Sequence, residues 1–97
     1  MIIEILDLAE QDILDGFLFY ESQQAGLGTY FIANIYADIE SLRLNAGIHH
    51  QVYKNYYRLL SHRFPFAVFY KLNEDRVSIH AVLDCRQDPV QLEQRLS

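Results

Sequence analysis

YRLLSHRFPFAVFYKLNEDRVSIHAVLDCR, residues Tyr57 to Arg86, decides the fold of this chain. Its apolar residues recur with a period of two. Tyr57 and Leu59 alternate with Arg58 and Leu60, Phe66, Val68 and Tyr70 alternate with Ala67, Phe69 and Lys71, and Val77, Ile79, Ala81 and Leu83 form a third run. Alternation over runs this short is the mark of strands. Ser61-His62-Arg63 before Phe64-Pro65 and the polar Asn73-Glu74-Asp75 supply the two connections, so the stretch predicts a three-stranded antiparallel meander. It also holds five of the chain's eight Lys and Arg residues: Arg58, Arg63, Lys71, Arg76 and Arg86. A small sheet carrying basic side chains follows.

Upstream, the period changes. Met1 to Leu6 is short and isoleucine-rich, which suits a strand that joins the edge of the sheet. Asp7, three residues before Glu10, reads as an Asp version of the capping box, and Ala9, Ile13, Phe17 and Tyr20 make one helical face to about Gln24. Gly26-Leu27-Gly28 breaks that helix. Phe31, Ile35, Ile39 and Leu42, widened by Ile32 and Tyr36, mark a second helix ended by Asn45-Ala46-Gly47, where glycine accepts a left-handed conformation. Downstream, Asp88-Pro89 is an N-cap followed by proline at the first helical position, so a short helix through Leu92 and Leu96 closes the chain. The expected fold is α+β and two-layered. An N-terminal strand, an antiparallel helical hairpin, the meander and a C-terminal helix form a single domain over 1–97.

Composition limits what such a domain does. Residues 1–50 hold eight acids against Arg43 alone, net −7, whereas residues 51–97 hold seven bases against five acids, net +2, and the whole stands at −5. A net-acidic chain gains no long-range attraction to nucleic acid, so any such contact is local. One cysteine, Cys85, excludes an internal disulfide and a cysteine-based zinc cluster and points to a reducing compartment. No apolar run reaches the roughly 18 residues a membrane span needs, and no basic region precedes the first apolar residues, so a cytoplasmic location is expected.

The order of elements, together with Gly26-Leu27-Gly28, Ala46-Gly47-Ile48-His49, YRLLSHRFPFAVFYK at 57–71 and AVLDCRQDP at 81–89, resembles the RelE/ParE superfamily of bacterial toxins across essentially the whole chain. The resemblance implies the toxin half of a type II toxin–antitoxin pair, held silent by a cognate antitoxin protein in a hetero-oligomer. It also implies one of two actions. ParE-like members inhibit DNA gyrase, while RelE-like members cut messenger RNA on the ribosome, and a shared fold does not choose between them.

Cutting RNA by attack of the 2′-oxygen needs a base, cations for the charge growing on the phosphate, and an acid for the leaving oxygen. RelE-like members commonly place a tyrosine or histidine near the C-terminus, but nothing after Arg86 is Tyr, His or Lys. That absence and the net acidity place the chain on the ParE-like side, binding a target protein without being an enzyme. The alternatives are a ribosome-dependent endoribonuclease with Arg58, Arg63, His80 and Arg86 in the site, and a derived binding module without toxicity. His80 serves as proton carrier if it faces the same way as Arg58, and the alternation sets Ser78, His80 and Val82 opposite Val77, Ile79 and Ala81.

Each residue has a plainer reading. Arg63 is a solvated loop residue, His80 a half-buried sheet residue, and Arg86 pairs with Asp84 or Asp88 to pin the last helix. The expected partner-binding set is Lys54, Tyr57, Arg58, Tyr70, Lys71 and Arg86, with tyrosines as anchors. Tyr20, Tyr30 and Tyr36 read as packing with a polar rim. His49 and His50 are adjacent and point apart in extended backbone, so neither a metal nor another cofactor is expected. Cys85 reads as a packed thiol. An antitoxin segment over Arg58 and Arg86 is expected to carry acids, and one along the helices to carry bases.

Overall fold

The computed structural model describes residues 1–97. Five strands form one sheet in the order β1-β5-β4-β3-β2: β1 (Ile2–Ile5), β2 (His50–Gln51), β3 (Tyr57–Leu60), β4 (Phe66–Asn73) and β5 (Arg76–Asp84). The meander is antiparallel throughout, and β1 joins the edge parallel to β5. The two-residue β2 was not expected, because its residues are exposed and carry no alternation for a pattern to report. Helices α1 (Asp7–Gln23) and α2 (Leu27–Glu40) form the hairpin, the one-turn α3 (Leu42–Asn45) extends it, and α4 (Pro89–Leu96) ends the chain. No helix is long and apolar enough to cross a membrane.

Strand β4 explains the run FAVFY. Phe66 to Tyr70 are all buried because the strand is central and both of its faces are covered. Phe66, Val68 and Tyr70 join Ala9, Ile13, Phe31, Ile35, Ile39 and Leu42 in the core beneath the hairpin. Ala67 and Phe69 join Tyr56, Ala81, Leu83 and Leu96 on the opposite face. The two-layer expectation therefore holds for hairpin and sheet, while α4 adds partial cover to the other side.

Two expectations about helix ends change. Asp7 is not the N-cap of α1: Leu6 occupies that position with its N–H tied to the Ile79 carbonyl (3.0 Å), and no side chain caps the helix. Parallel pairing with β5 fixes where the helix begins, and Asp7 and Glu10 face the positive end of the helix dipole from its first turn. Gly26, left-handed at φ 89°, begins α2, but Gly28 is no breaker. A Cβ on Gly28 would stand 2.6 Å from the Phe17 carbonyl oxygen, so glycine permits the close helix crossing. The Glu21 carboxylate accepts hydrogen bonds from Gly26 N–H (3.0 Å) and Gly28 N–H (2.9 Å), capping α2 from the end of α1. Gly47 is left-handed as expected (φ 93°), and Asp88 caps α4 by accepting from Val90 N–H at 2.9 Å.

The other long-range tie is Asp12. Its Oδ2 accepts from the backbone N–H of Val82 (2.9 Å), where β1 no longer borders β5, and its two oxygens take a bidentate pair from Arg95 of α4 (2.7 Å each). Both side chains are largely buried.

Gly28→Ala is expected to destabilise the fold by about 1–3 kcal/mol through overpacking against backbone, outweighing the roughly 1 kcal/mol gain in helix propensity. An unchanged denaturation midpoint would contradict the close crossing. Asp12→Ala is expected to cost about 3 kcal/mol, since it strands Arg95 as well as the Val82 amide, and Arg95→Met less. Comparable losses for the two would show that the Val82 contact contributes nothing.

Candidate functional site

The sheet face opposite the hairpin collects the chemistry. Arg58, Phe69 and Ala81 are successive cross-strand partners and share that face. Tyr56, buried just before β3, is the hub of a small polar–aromatic group: the Lys71 ammonium lies 4.7 Å from its ring centre, and the His80 ring meets it edge-on at 5.2 Å. These are cation–π and T-shaped contacts. Strand β5 reaches this arrangement through a bulge. Phe69 pairs with Ala81 but Tyr70 pairs with Ile79, leaving His80 as the extra residue. The expected faces are therefore wrong beyond that point: Val82 belongs with Val77 and Ile79 under the hairpin, and Ala81 with Phe69 on the other side. His80 does share a face with Arg58. Burial, and secondarily the Lys71 charge, pull its imidazole below the usual histidine range, which favours the neutral ring.

The four residues of the candidate catalytic set do not converge. Arg63 is exposed in the β3–β4 connection and forms no ion pair. Arg86 grips Asp84 with Nε (2.9 Å), Nη2 (2.6 Å) and its own backbone N–H (2.8 Å). That grip holds the Asp84 carboxyl below the usual range and raises Arg86, the side-chain hydrogen bond being the largest cause for both. Asp88 does not share in it. Arg58 instead lines a cavity at the β3 edge, with its Nε buried and unpartnered. Cys85, expected as a packed thiol, is exposed. Its thiol is nonetheless pushed up by local burial of the sulfur and secondarily by Asp84, against a nucleophilic role.

The partner-binding set divides. Tyr70 is corrected out of it, being 0% exposed: its side chain lies under the hairpin, stacked on Tyr57 with ring centres 5.1 Å apart. The Tyr70 hydroxyl accepts from Gly47 N–H (3.0 Å) and lies 2.5 Å from His49 Nδ1, to which it has a proton to donate. Burial lowers His49 and favours the neutral ring that accepts that proton. A period of two identifies a strand residue but not which face is deepest, so the tyrosine looked like an anchor. Tyr57 is half-buried on the hairpin side, away from Arg58 and Lys71. Lys54 is exposed in the β2–β3 turn at φ 54°, its ammonium 5.4 Å from the Tyr53 ring centre. Tyr30 and Tyr36 are more exposed than a packing role requires, whereas Tyr20 packs on Phe31 and Phe64.

Two features escaped the sequence. One is the part Tyr56 plays as hub of the group on the open face: with Tyr53, Tyr57 and Tyr70 it reads from sequence as a tyrosine for base stacking or partner anchoring, and nothing in the pattern sets it apart. The second is a groove of about 420 Å³ between α1 and α2, lined by Ile13, Leu14, Ile32 and Tyr36 together with the acids Asp7 and Glu10.

No family model matches the chain, and no curated protein matches it. Among solved structures it is similar to a chain of the "Chromosomal ParDE TA system from P. aeruginosa", with 14% identity over 84% of this chain and 92% of that one, at a TM-score of 0.78. The chain thus shares the α+β fold of that chain.

Proposed function

We propose that this chain is the toxin of a toxin–antitoxin pair, ParE-like in action: it slows growth by binding a target protein such as DNA gyrase and is silenced by a cognate antitoxin. The observation that carries the reading is the fold, shared over nearly all of a chain from a ParDE system. Charge supports it further. The groove between α1 and α2 is lined by apolar residues and by Asp7 and Glu10, a fit for an amphipathic antitoxin helix flanked by Lys or Arg. On the open face of the sheet Arg58 and Lys71, with Lys54 in the turn beside it, suit acidic partner groups, and Arg86 holds its exposed guanidinium beyond the end of β5. Toxin and antitoxin assemble as a hetero-oligomer in the cytoplasm.

A second reading is favoured by one observation, the contact of Tyr56, Lys71 and His80. A neutral imidazole beside an ammonium is the pairing that takes a proton from a ribose hydroxyl while a cation meets the phosphate. In this reading the chain is a ribosome-dependent endoribonuclease, and Arg58 adds positive charge on the same face.

Induction without antitoxin separates the readings. Growth arrest with intact messenger RNA and an induced DNA-damage response is expected, and arrest is expected to be lost in the Arg58→Ala/Arg86→Ala double variant. Codon-phased cuts abolished by His80→Ala would establish the nuclease instead, and wild-type growth would leave a binding module without toxicity. The proton logic is checked separately by NMR titration. His80 is expected to titrate below the ordinary midpoint of about 6.5, and Lys71→Met to raise it only part of the way, because burial is the larger cause. A midpoint unmoved by Lys71→Met would remove the lysine from the group.

A further inference from the structure

Hydrogen bonds tie the connection between α3 and β2 to the core through one atom. Ile48 is 74% exposed and buries little, and β2 makes only two residue pairs with β3. The Ile48 N–H stays within its own turn, donating to the Asn45 carbonyl (3.3 Å). The two contacts of residues 47–49 that reach the core both end on the Tyr70 hydroxyl, which takes the Gly47 N–H and meets His49 Nδ1. Gly47 is left-handed, and a Cβ there would stand 3.1 Å from Leu72 Cδ2, so the chain turns at a point where other residues are strained.

The Tyr70 hydroxyl has one proton to place. With His49 neutral and its N–H on Nε2, Nδ1 accepts that proton and the phenol oxygen accepts from Gly47. A protonated ring carries N–H on both nitrogens, so Nδ1 becomes a second donor aimed at the same oxygen. The Tyr70 proton then has no acceptor, in a side chain that is 0% exposed and stacked on the Tyr57 ring, and a buried donor without a partner is costly. Burial also raises the Tyr70 phenol above the ordinary tyrosine range, so it does not shed the proton instead. Nothing nearby offsets the new charge. His49 meets Tyr70 of β4 edge-on (5.6 Å) and shares its cavity with Arg58 of β3, with His50, and with His62 of the β3–β4 connection, and no Asp or Glu lines that cavity. Asp38 of α2 is already paired, its Oδ1 lying 3.0 Å from His62 Nδ1.

We propose that His49, Tyr70 and Gly47 form an acid-sensitive latch: while His49 is neutral residues 47–51 lie closed on the sheet, and when His49 takes up a proton they swing out about Gly47. Ile48, His49 and His50 make one wall of the cavity of about 630 Å³ that Arg58 lines, so opening the latch dismantles that wall and bares Arg58. The direction follows from proton binding. Burial lowers His49 in the closed state, whereas the released ring returns to water and binds its proton more readily. Opening therefore takes up a proton, is favoured as pH falls below the ordinary histidine midpoint of about 6.5, and gains nothing further once the closed ring is itself protonated. At higher pH the latch is shut. The inference does not depend on the toxin reading.

The test is amide hydrogen exchange by NMR on the full chain from about pH 7.5 to about pH 5, across the range where histidine titrates, expressed as protection factors so that the intrinsic pH dependence of exchange drops out. Protection of Gly47 is expected to fall several-fold, and by no more than about tenfold for each unit of pH, the limit for one proton. Its amide shift is expected to follow the titration of the His49 ring, with the β4 and β5 amides unchanged. His49→Gln takes up no proton and is expected to flatten the dependence, while His50→Gln and His62→Gln are expected to keep it. Tyr70→Phe is expected to leave Gly47 weakly protected at every pH; where that variant fails to fold, the three glutamine variants decide. Protection of Gly47 that is independent of pH, a fall that survives His49→Gln, a fall removed by His50→Gln or His62→Gln, or one shared by β4 and β5 would overturn the proposal.

Discussion

One carboxylate, that of Asp12, fixes how the layers of this molecule meet. Strand β5 outruns its parallel neighbour: β1 borders it from Arg76 to Ile79 and then turns away into α1. The exposed remainder of β5 is the kind of edge that invites unwanted pairing. Asp12, on the second turn of α1, takes the Val82 N–H at that gap and with the same two oxygens holds Arg95. The residues are 70 and 83 positions apart in sequence, and joining them ties the hairpin, the sheet and the last helix together. Leu96 is thereby seated with Ala81 and Leu83.

The position of α4 sets what remains open. The helix covers one end of the face opposite the hairpin, and the other end keeps Lys71 and His80 around Tyr56. The chain thus separates its charges in space as it does in sequence. The acidic half of the sequence builds the hairpin and the acids that line its groove, and the basic half builds β3, β4 and β5 with their cationic face and the β3 edge. A partner that wraps the molecule therefore meets opposite fields in succession, which fixes its orientation as well as its affinity.

Much of this was legible in the residues. The period of two over Phe66–Asn73 and Arg76–Asp84 located the two long strands, and the stripe Phe31, Ile35, Ile39 and Leu42 located the buried face of the second helix, because burial of one side of a regular element is written in its spacing. What was hidden has a common cause. A bulge adds one residue, His80, without altering composition, and so reverses every face assigned beyond it. Asp7 has the residue type of a cap, but the strand pairing at Leu6 places it one position too late. Tyr70 and Tyr57 look alike in a pattern, yet only one of them is fully buried. Asp12, Glu21 and Asp38 each act through partners that no local window contains, so none stood out among thirteen acids.

The antitoxin proposed above covers the fold through the groove between α1 and α2. The most direct measure of that cover is hydrogen–deuterium exchange on the chain alone and after co-expression with the product of the adjacent reading frame. A stable complex is expected, in which protection rises over residues 7–14 and 32–36, the segments lining that groove. A complex that leaves those segments unchanged, or the absence of any complex, would contradict it.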